Sequence, residues 1–299
     1  HARDLTNAYL LIIQLYIVSV FAVQLPHMQQ RFARWRVRPA VAFVLVFLAL
    51  LIFGCGLLML PRSTPDDQPI TVLDALFTST SAVCVTGLIV RDTGTGFTVF
   101  GQTVILILIQ LGGLGIMSLT AALSLLLGRG IGVRESSLLR EVFHVPMMAE
   151  VGRMVRFIIL MTLSIEAVGA ILLYQGLGQS MPAGGPRVFQ AVFHSVSAFC
   201  NAGFSLFSDS LMGLANQPMV MGTVTGLLVI GGLGFGVVIQ LGAWLKGRMM
   251  DRSNKKIRLD LHTQVVLVVS VFLLFGGGLF ITLLEWDNSL AGQPFAMKM

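Results

Sequence analysis

The chain has 299 residues, of which 55% are hydrophobic and only 11% are charged, and its formal net charge is +6. Soluble globular domains carry about 25% charged residues, so this composition excludes a soluble enzyme or binding module, and a mean hydropathy of +0.85 indicates an integral membrane protein. The three cysteines, Cys55, Cys84 and Cys200, lack the spacing of a zinc, haem or disulfide framework.

Long uncharged segments predict the membrane-spanning helices in chain order. Because about 20 apolar residues cross a bilayer as a helix, we expect one span before residue 39 and another that begins near residue 261. Between them we expect four spans, over residues 39–61, 97–127, 153–175 and 218–245. Two shorter apolar stretches are either full spans or re-entrant segments, residues 71–90 and 187–206.

The basic residues decide between these alternatives. Three clusters, within residues 31–38, 129–156 and 246–258, hold 15 of the 20 lysines and arginines, and the positive-inside rule places such clusters in the cytoplasm. All three basic clusters lie on the same side of the membrane if both short stretches enter the membrane and return to the side from which they came. Non-helical backbone at that depth is tolerated only where it is buried in protein or lines a watery path, so the dips predict a conduit. Orientation alone accounts for the clusters, and we therefore expect no nucleic-acid partner.

The two re-entrant stretches contain the same motif. Residues 77–87 read FTSTSAVCVTG and residues 193–203 read FHSVSAFCNAG, so Phe, Ser, Ser, Ala, Cys and Gly recur at a constant spacing of 116 residues. The tetrapeptide GGLG also occurs twice, at residues 112–115 and 231–234. Repetition inside a membrane protein is typical of a transport path built on pseudo-symmetry.

These repeats predict the fold class and the domain organisation. We expect an all-α polytopic membrane protein in five parts: an extra N-terminal helix with a basic loop (1–38), a first repeat (39–128), an amphipathic cytoplasmic connector (129–152), a second repeat (153–246), and a basic loop with the first helix of a third repeat (247–299). Since two and a half repeats cannot close a ring, we expect the chain to be a piece of a longer protein.

Each dip carries the elements of a cation filter. Thr71 and Asp74 fit a capping box, which predicts a half-helix from Thr71 to about Val83 whose C-terminal end has partial negative charge. In the segment after it, Gly87 can adopt a positive φ, and a ring of backbone carbonyls can replace the water shell of an alkali cation. Residues 200–204 would supply the second quadrant. Alternatively, Gly87 and Gly203 simply end helices; the doubled motif favours the filter.

Three segments in combination resemble the Trk/Ktr/HKT superfamily of potassium transporters, and most of all the bacterial Trk/Ktr membrane (ion-translocating) subunit: residues 81–88, 110–115 and 193–204. The resemblance implies helix–pore-loop–helix (M1-P-M2) repeats around a pseudo-fourfold pore, of which this chain has two full repeats and the first helix of a third. It implies potassium uptake across the cell membrane, with potassium bound only by filter carbonyls, those of Val85, Thr86, Gly87, Leu88, Asn201, Ala202, Gly203 and Phe204. Glycine at position 87 implies potassium, since a serine there accompanies sodium transport in some plant relatives.

The resemblance also implies the partners and the location. It implies a homodimer in the plasma or inner membrane, in contact with lipid, with basic loops in the cytoplasm and a cytoplasmic ring of nucleotide-binding regulatory subunits. We expect no covalently or tightly bound cofactor besides potassium ions in the filter, and nucleotide only on the regulatory partner.

The remaining polar residues are assigned supporting roles. We expect Asp74, Cys84, His194 and Cys200 to support the pore helices, since His194 has no second ligand at metal-binding spacing. Glu166 lies inside a predicted span, where acids are functional candidates, although a hydrogen-bonded structural carboxyl is favoured. An enzyme would need a nucleophile with its base or a metal motif, and none is present, so we expect no enzymatic activity. Sodium or mixed-cation transport and a non-conducting membrane scaffold are the alternative functions.

Overall fold

The structure is a computed structural model, and it describes residues 39–65, 68–128, 144–250 and 259–286. Every regular element in these ranges is helical. The chain divides into two compact units, His1–Phe53 and Gly54–Met299. The helix predicted before residue 39 and residues 129–143 of the predicted connector lie outside the described ranges.

The first three helices correspond to the first predicted repeat. They are α1 (Pro39–Leu58), α2 (Val72–Val83) and α3 (Val99–Gly128). Helix α2 begins as the sequence predicts, because the Thr71 hydroxyl accepts a hydrogen bond from the Asp74 N–H at 3.1 Å. Its 12 residues extend about 18 Å, which is too short to cross a hydrocarbon core of about 30 Å. Helix α2 therefore cannot be a full span.

The second half of the chain begins with α4 (His144–Gly176), which continues into a 3₁₀ turn, Leu177–Gln179. The sequence predicted a connector over residues 129–152 and a separate span over residues 153–175. In the structure, residues 144–152 form the first turns of α4 and continue into that span without a break. Pro146 lies in the first turn, where proline is tolerated because its N–H would be unpaired. Helix α5 (Gly185–Phe199) follows and is the counterpart of α2.

The last three helices are α6 (Pro218–Leu233), α7 (Phe235–Met250) and α8 (Leu261–Glu285). The sequence predicted one span over 218–245, whereas the chain is broken between α6 and α7 and bends there by 104°. Within the described residues, Arg156–Gln179 and Leu261–Glu285 are long and apolar enough to cross a membrane, and the bent pair adds a third such segment if it counts as one.

Small residues allow the same close packing in both halves. Helix α2 packs on α3, and α5 packs on α4 and α6. A methyl group on Gly54 would overlap Ser79 Oγ and the Leu108 side chain. In the second half, a methyl group on Gly169 would overlap the corresponding atoms of Ser195 and Leu227. Each short helix thus lies against a glycine of the preceding helix, and the filter segments begin where these short helices end.

Candidate functional site

Helix α2 ends in a turn that leads directly into the first predicted filter segment. The Val85 N–H donates to the Ala82 carbonyl at 3.2 Å, and the Thr86 N–H donates to the Ser81 carbonyl at 2.9 Å. This pair of bonds is a Schellman motif, which requires a left-handed residue just after the helix. That residue is Val85, with φ of 57°. A β-branched side chain is unfavourable in this conformation, and such strain costs about 1–3 kcal/mol.

Helix α5 ends in the same turn. The Asn201 N–H donates to the Ala198 carbonyl at 3.0 Å, and the Ala202 N–H donates to the Ser197 carbonyl at 2.8 Å. The left-handed position is Asn201, with φ of 58°. Asparagine tolerates this conformation better than valine does. The two helix ends therefore have the same backbone geometry, but the conformational strain is greater at Val85 than at Asn201.

The glycines of the two predicted filter segments are not the residues that end the helices. Gly87 and Gly203 both have φ of 74°, and each lies two residues beyond the left-handed residue of its Schellman motif. Helix termination therefore does not account for their conformation. The sign of φ alternates over three residues in both segments, with Thr86 and Ala202 between the positive positions. A backbone that alternates in this way can present successive carbonyl oxygens on one side, as cation filters do.

The two segments meet at their glycines. A methyl group on Gly87 would overlap the Ala202 carbonyl oxygen and lie 3.1 Å from the Gly203 Cα. A methyl group on Gly203 would lie 3.4 Å from the Gly87 Cα. The structure thus places the two predicted filter segments against each other at Gly87, Ala202 and Gly203. Their surroundings differ at the outer end, because Leu88 is 62% exposed and Phe204 is 3% exposed.

The motif serines fix the filter segments to their short helices, a role that the sequence analysis did not assign. The Thr86 hydroxyl donates to Ser81 Oγ at 2.9 Å. The Ser197 hydroxyl donates to the Phe204 carbonyl at 2.7 Å. The recurrence of this serine in both motifs was the available signal, and the structure shows what it supports.

His194 connects α5 to the chain that leaves the second filter segment. Nδ1 lies 2.8 Å from the Gln190 carbonyl, and since a carbonyl only accepts, Nδ1 carries the proton. Nε2 then accepts from the Ser205 hydroxyl at 3.1 Å and from the Leu206 N–H at 3.3 Å. The ring also stacks on Phe207 with a centroid distance of 4.9 Å. All of its contacts are those of a neutral structural histidine.

Glu166 and Cys200 form a second buried contact, at the end of α5. Glu166 is 5% exposed, and the Cys200 thiol lies 3.9 Å from its Oε1. The backbone carbonyl of Glu166 accepts from the Ser195 hydroxyl at 2.7 Å. Helix α4 is thereby joined to the end of α5. Of the other predicted supports, Asp74 contributes its N–H to the cap of α2, and Cys84 is exposed at the end of that helix.

The loop beyond the first segment is held by an acidic side chain. Asp92 Oδ1 accepts from the Thr95 N–H at 2.7 Å and from the Thr95 hydroxyl at 2.8 Å. Partial burial acts to raise the pKa of Asp92, but these hydrogen bonds outweigh it and hold the pKa below its usual range. Among the described residues, no group of three or more His, Cys, Asp or Glu side chains is placed to bind a metal ion.

The described residues thus define a helical membrane protein in which two matched short helices deliver two glycine-containing segments to one place. A family model described as cation transport protein, TrkH, matches residues 11–290. The chain belongs to the TrkH family of cation transport proteins. It is therefore a member of a family of membrane transporters rather than of enzymes.

Three curated relatives are similar in sequence to this chain. The chain is 40% identical over 258 residues to Ktr system potassium uptake protein B of Bacillus subtilis. The aligned region covers 85% of this chain and 55% of that protein. It is 39% identical over 247 residues to the protein of the same name from Vibrio alginolyticus, with 82% and 52% covered. It is 33% identical over 254 residues to Potassium/sodium uptake protein NtpJ of Enterococcus hirae, with 84% and 54% covered. The chain spans about half the length of these curated relatives.

Proposed function

We propose that the chain contributes two helix–pore-loop–helix repeats, residues 39–128 and 153–246, to the ion-translocating subunit of a potassium uptake system. The observation that carries the proposal is the matched backbone of the two filter segments. Positive φ occurs at positions 85 and 87 and again at positions 201 and 203. Helix termination requires only the first positive residue of each pair, and the second fits a backbone that presents successive carbonyl oxygens to an ion.

Potassium is the proposed substrate, bound by the backbone carbonyls of residues 85–88 and 201–204. Two of the relatives are named as potassium uptake proteins and support this assignment. The name of a third relative, from Enterococcus hirae, includes both potassium and sodium. Sodium or mixed-cation transport is therefore the second candidate, and the side chain at position 87 is the point at which the two candidates are tested.

The proposed assembly extends beyond this chain. Two similar segments would complete the pseudo-fourfold pore, and the names of two relatives place them in a Ktr system, which supports a regulatory partner. We place the basic segments in the cytoplasm and the protein in the plasma membrane, as a homodimer in contact with lipid. The chain itself would hold no tightly bound cofactor besides potassium ions, and nucleotide would bind only to the regulatory ring.

The decisive experiment is uptake of tracer rubidium by proteoliposomes that contain the full-length gene product. Unlabelled potassium should block the uptake and sodium should not. In Gly87→Ser this preference should be lost, because the side chain at a φ of 74° would displace the adjacent segment. The matched control is Gly222→Ser in α6, since a Cβ on Gly222 would meet nothing within 4 Å. Uptake that is absent, or indifferent to the competing ion and to Gly87, would refute the proposed function.

A further inference from the structure

The break between α6 and α7 is anchored on both sides by the second filter region. Gly234 lies between the two helices with φ of 81°, a conformation that glycine adopts readily and other residues do not. Immediately after it, Phe235 is 5% exposed, and its ring lies 6.5 Å from that of Phe199. Phe199 is the last residue of α5, so the chain after the break returns to the base of the second filter segment.

Before the break, the filter residue Asn201 contacts α6 through its side chain. When the amide is oriented to satisfy both of its ends, Nδ2 donates to the Leu228 carbonyl at 3.2 Å and Oδ1 accepts from the Gly232 N–H at 3.2 Å. Both backbone groups belong to α6, which is helical through Leu233. The amide therefore bonds α6 at the last turn before Gly234.

The first half of the chain has the same helix end but no such link. Val85 occupies the position of Asn201, with nearly the same φ, and its side chain has no hydrogen-bonding group. The corresponding helix, α3, is continuous from Val99 to Gly128. Within the residues that the structure describes, the second half of the chain thus has both the bend and the side-chain amide, and the first half has neither.

We propose that the Asn201 side chain is a positioning residue that couples ion occupancy of the second filter segment to the bend between α6 and α7. The backbone of Asn201 belongs to the filter, and its side chain bonds the helix that bends. A change in the filter segment therefore acts on the end of α6 next to the bend. Coupling of this kind is reciprocal: the bend must respond to the ion, and binding of the ion must respond to the bend. This inference rests on the proposed function.

The test measures the bend directly in the full-length protein in lipid nanodiscs. Spin labels are attached at Thr225→Cys in α6 and Ala243→Cys in α7, both exposed positions, in a background without other reactive cysteines. The label distance distribution is recorded in potassium and in a buffer that contains only the large cation N-methylglucamine. We expect potassium to change the ratio of bent to straighter forms by roughly fivefold to tenfold, the size expected for one or two net hydrogen bonds. In Asn201→Gly this response should be abolished.

Glycine is the informative replacement because it keeps the left-handed backbone and removes only the amide. In Asn201→Gly, the mean distance between the two spin labels should lengthen by about 5 Å or more as the bend opens. This is about the rise of one helical turn. Asn201→Asp keeps the acceptor for Gly232 but places an oxygen against the Leu228 carbonyl, so it should resemble Asn201→Gly. Thr223→Ala is the control, since it removes a hydrogen bond within α6, from the Thr223 hydroxyl to the Met219 carbonyl at 2.7 Å; its potassium response should equal that of the wild type.

Two results would overturn the proposal. One is a wild-type bend that does not respond to potassium, and the other is an equal response in Asn201→Gly and the wild type. Neither result depends on rubidium uptake, which tests the proposed function separately: a selective transporter with an unresponsive bend refutes only the coupling.

Discussion

The tetrapeptide GGLG has two different structures in this molecule. In α3, residues 112–115 lie within one continuous helix. In α6, residues 231–233 end the helix and Gly234 turns the chain by 104°. The first glycine of each tetrapeptide has the same surroundings, because a methyl group on Gly112 would overlap the Val83 carbonyl and one on Gly231 would overlap the Phe199 carbonyl.

The surroundings diverge at the second glycine. A Cβ on Gly113 would lie 2.7 Å from Cys200 Sγ, an atom of the other half of the chain. Gly232 instead faces the Asn201 amide, which can accept from the Gly232 N–H at 3.2 Å when it is oriented to satisfy both of its ends. The comparison teaches that the tetrapeptide permits a break without causing it. The copy that bends is the one whose second glycine lies beside Asn201.

The largest effect that should separate the two halves is at the filter glycines. Gly87→Ala should lower potassium-selective rubidium uptake by roughly 100-fold, because about 1–3 kcal/mol of backbone strain is added to an overlap with the Ala202 carbonyl. Gly203→Ala should cost roughly tenfold, since its Cβ meets only the Gly87 Cα at 3.4 Å. Proteoliposome uptake measures both.

Gly226→Ala is the control for this pair, because a Cβ there would meet nothing within 4 Å. Equal losses in Gly87→Ala and Gly203→Ala would show that the two strands are energetically equivalent, contrary to their unequal contacts.

A second pair tests the part of the comparison in which the halves agree. Gly112→Ala and Gly231→Ala should each destabilise the protein by about 3 kcal/mol, near the upper end of the cost of overpacking, because a rigid backbone carbonyl lies in the way. Thermal unfolding of the purified protein measures this. Gly222→Ala should instead stabilise by about 0.5–1 kcal/mol, since its helical site is open. A large difference between Gly112→Ala and Gly231→Ala would contradict the matched packing.

Sequence reasoning predicted the features that depend on local signals. The capping box at Thr71 and the apolar stretch after it predicted α2 within one residue at its start. The need for a positive φ at Gly87 and Gly203 followed from glycine in a repeated motif, and both have it. Glu166 was expected to be a hydrogen-bonded structural carboxyl, and the Cys200 thiol lies 3.9 Å from its Oε1.

The features that sequence reasoning missed depend on tertiary contacts. Propensity disfavours a left-handed valine, so nothing in the sequence marked Val85 as the residue that ends α2. The break at Gly234 could not be separated from the unbroken copy in α3, because the tetrapeptides are identical. His194 was placed on its helix, but its partners Ser205 and Leu206 lie beyond the filter and are brought to it only by the fold.

His194 offers a third way to sharpen the comparison, because its counterpart in the first half is Thr78. His194→Ala should destabilise the protein by about 2 kcal/mol, since it leaves the buried Leu206 N–H without its partner. Thr78→Val should be neutral or slightly stabilising, because the buried Thr78 hydroxyl has no hydrogen-bond partner among the described residues. Thermal unfolding compares the two variants.

His194→Gln serves as the rescue variant, since its amide oxygen can accept from the Leu206 N–H. If it is no more stable than His194→Ala, hydrogen bonding at this position does not stabilise the second half.

The smallest expected difference lies at the starts of the two short helices. Helix α2 has a side-chain cap from Thr71, whereas α5 begins after Gly184 without a side-chain cap and relies on a proline in its first turn. Thr71→Ala should therefore cost about 1 kcal/mol and raise amide hydrogen exchange at Asp74 by roughly fivefold. Exchange at Val188, in the first turn of α5, should stay unchanged in the same sample. If Thr71→Ala left exchange at Asp74 at the wild-type rate, α2 would be held in place, like α5, by packing against its neighbouring helices alone, and the two starts would differ in sequence but not in energy.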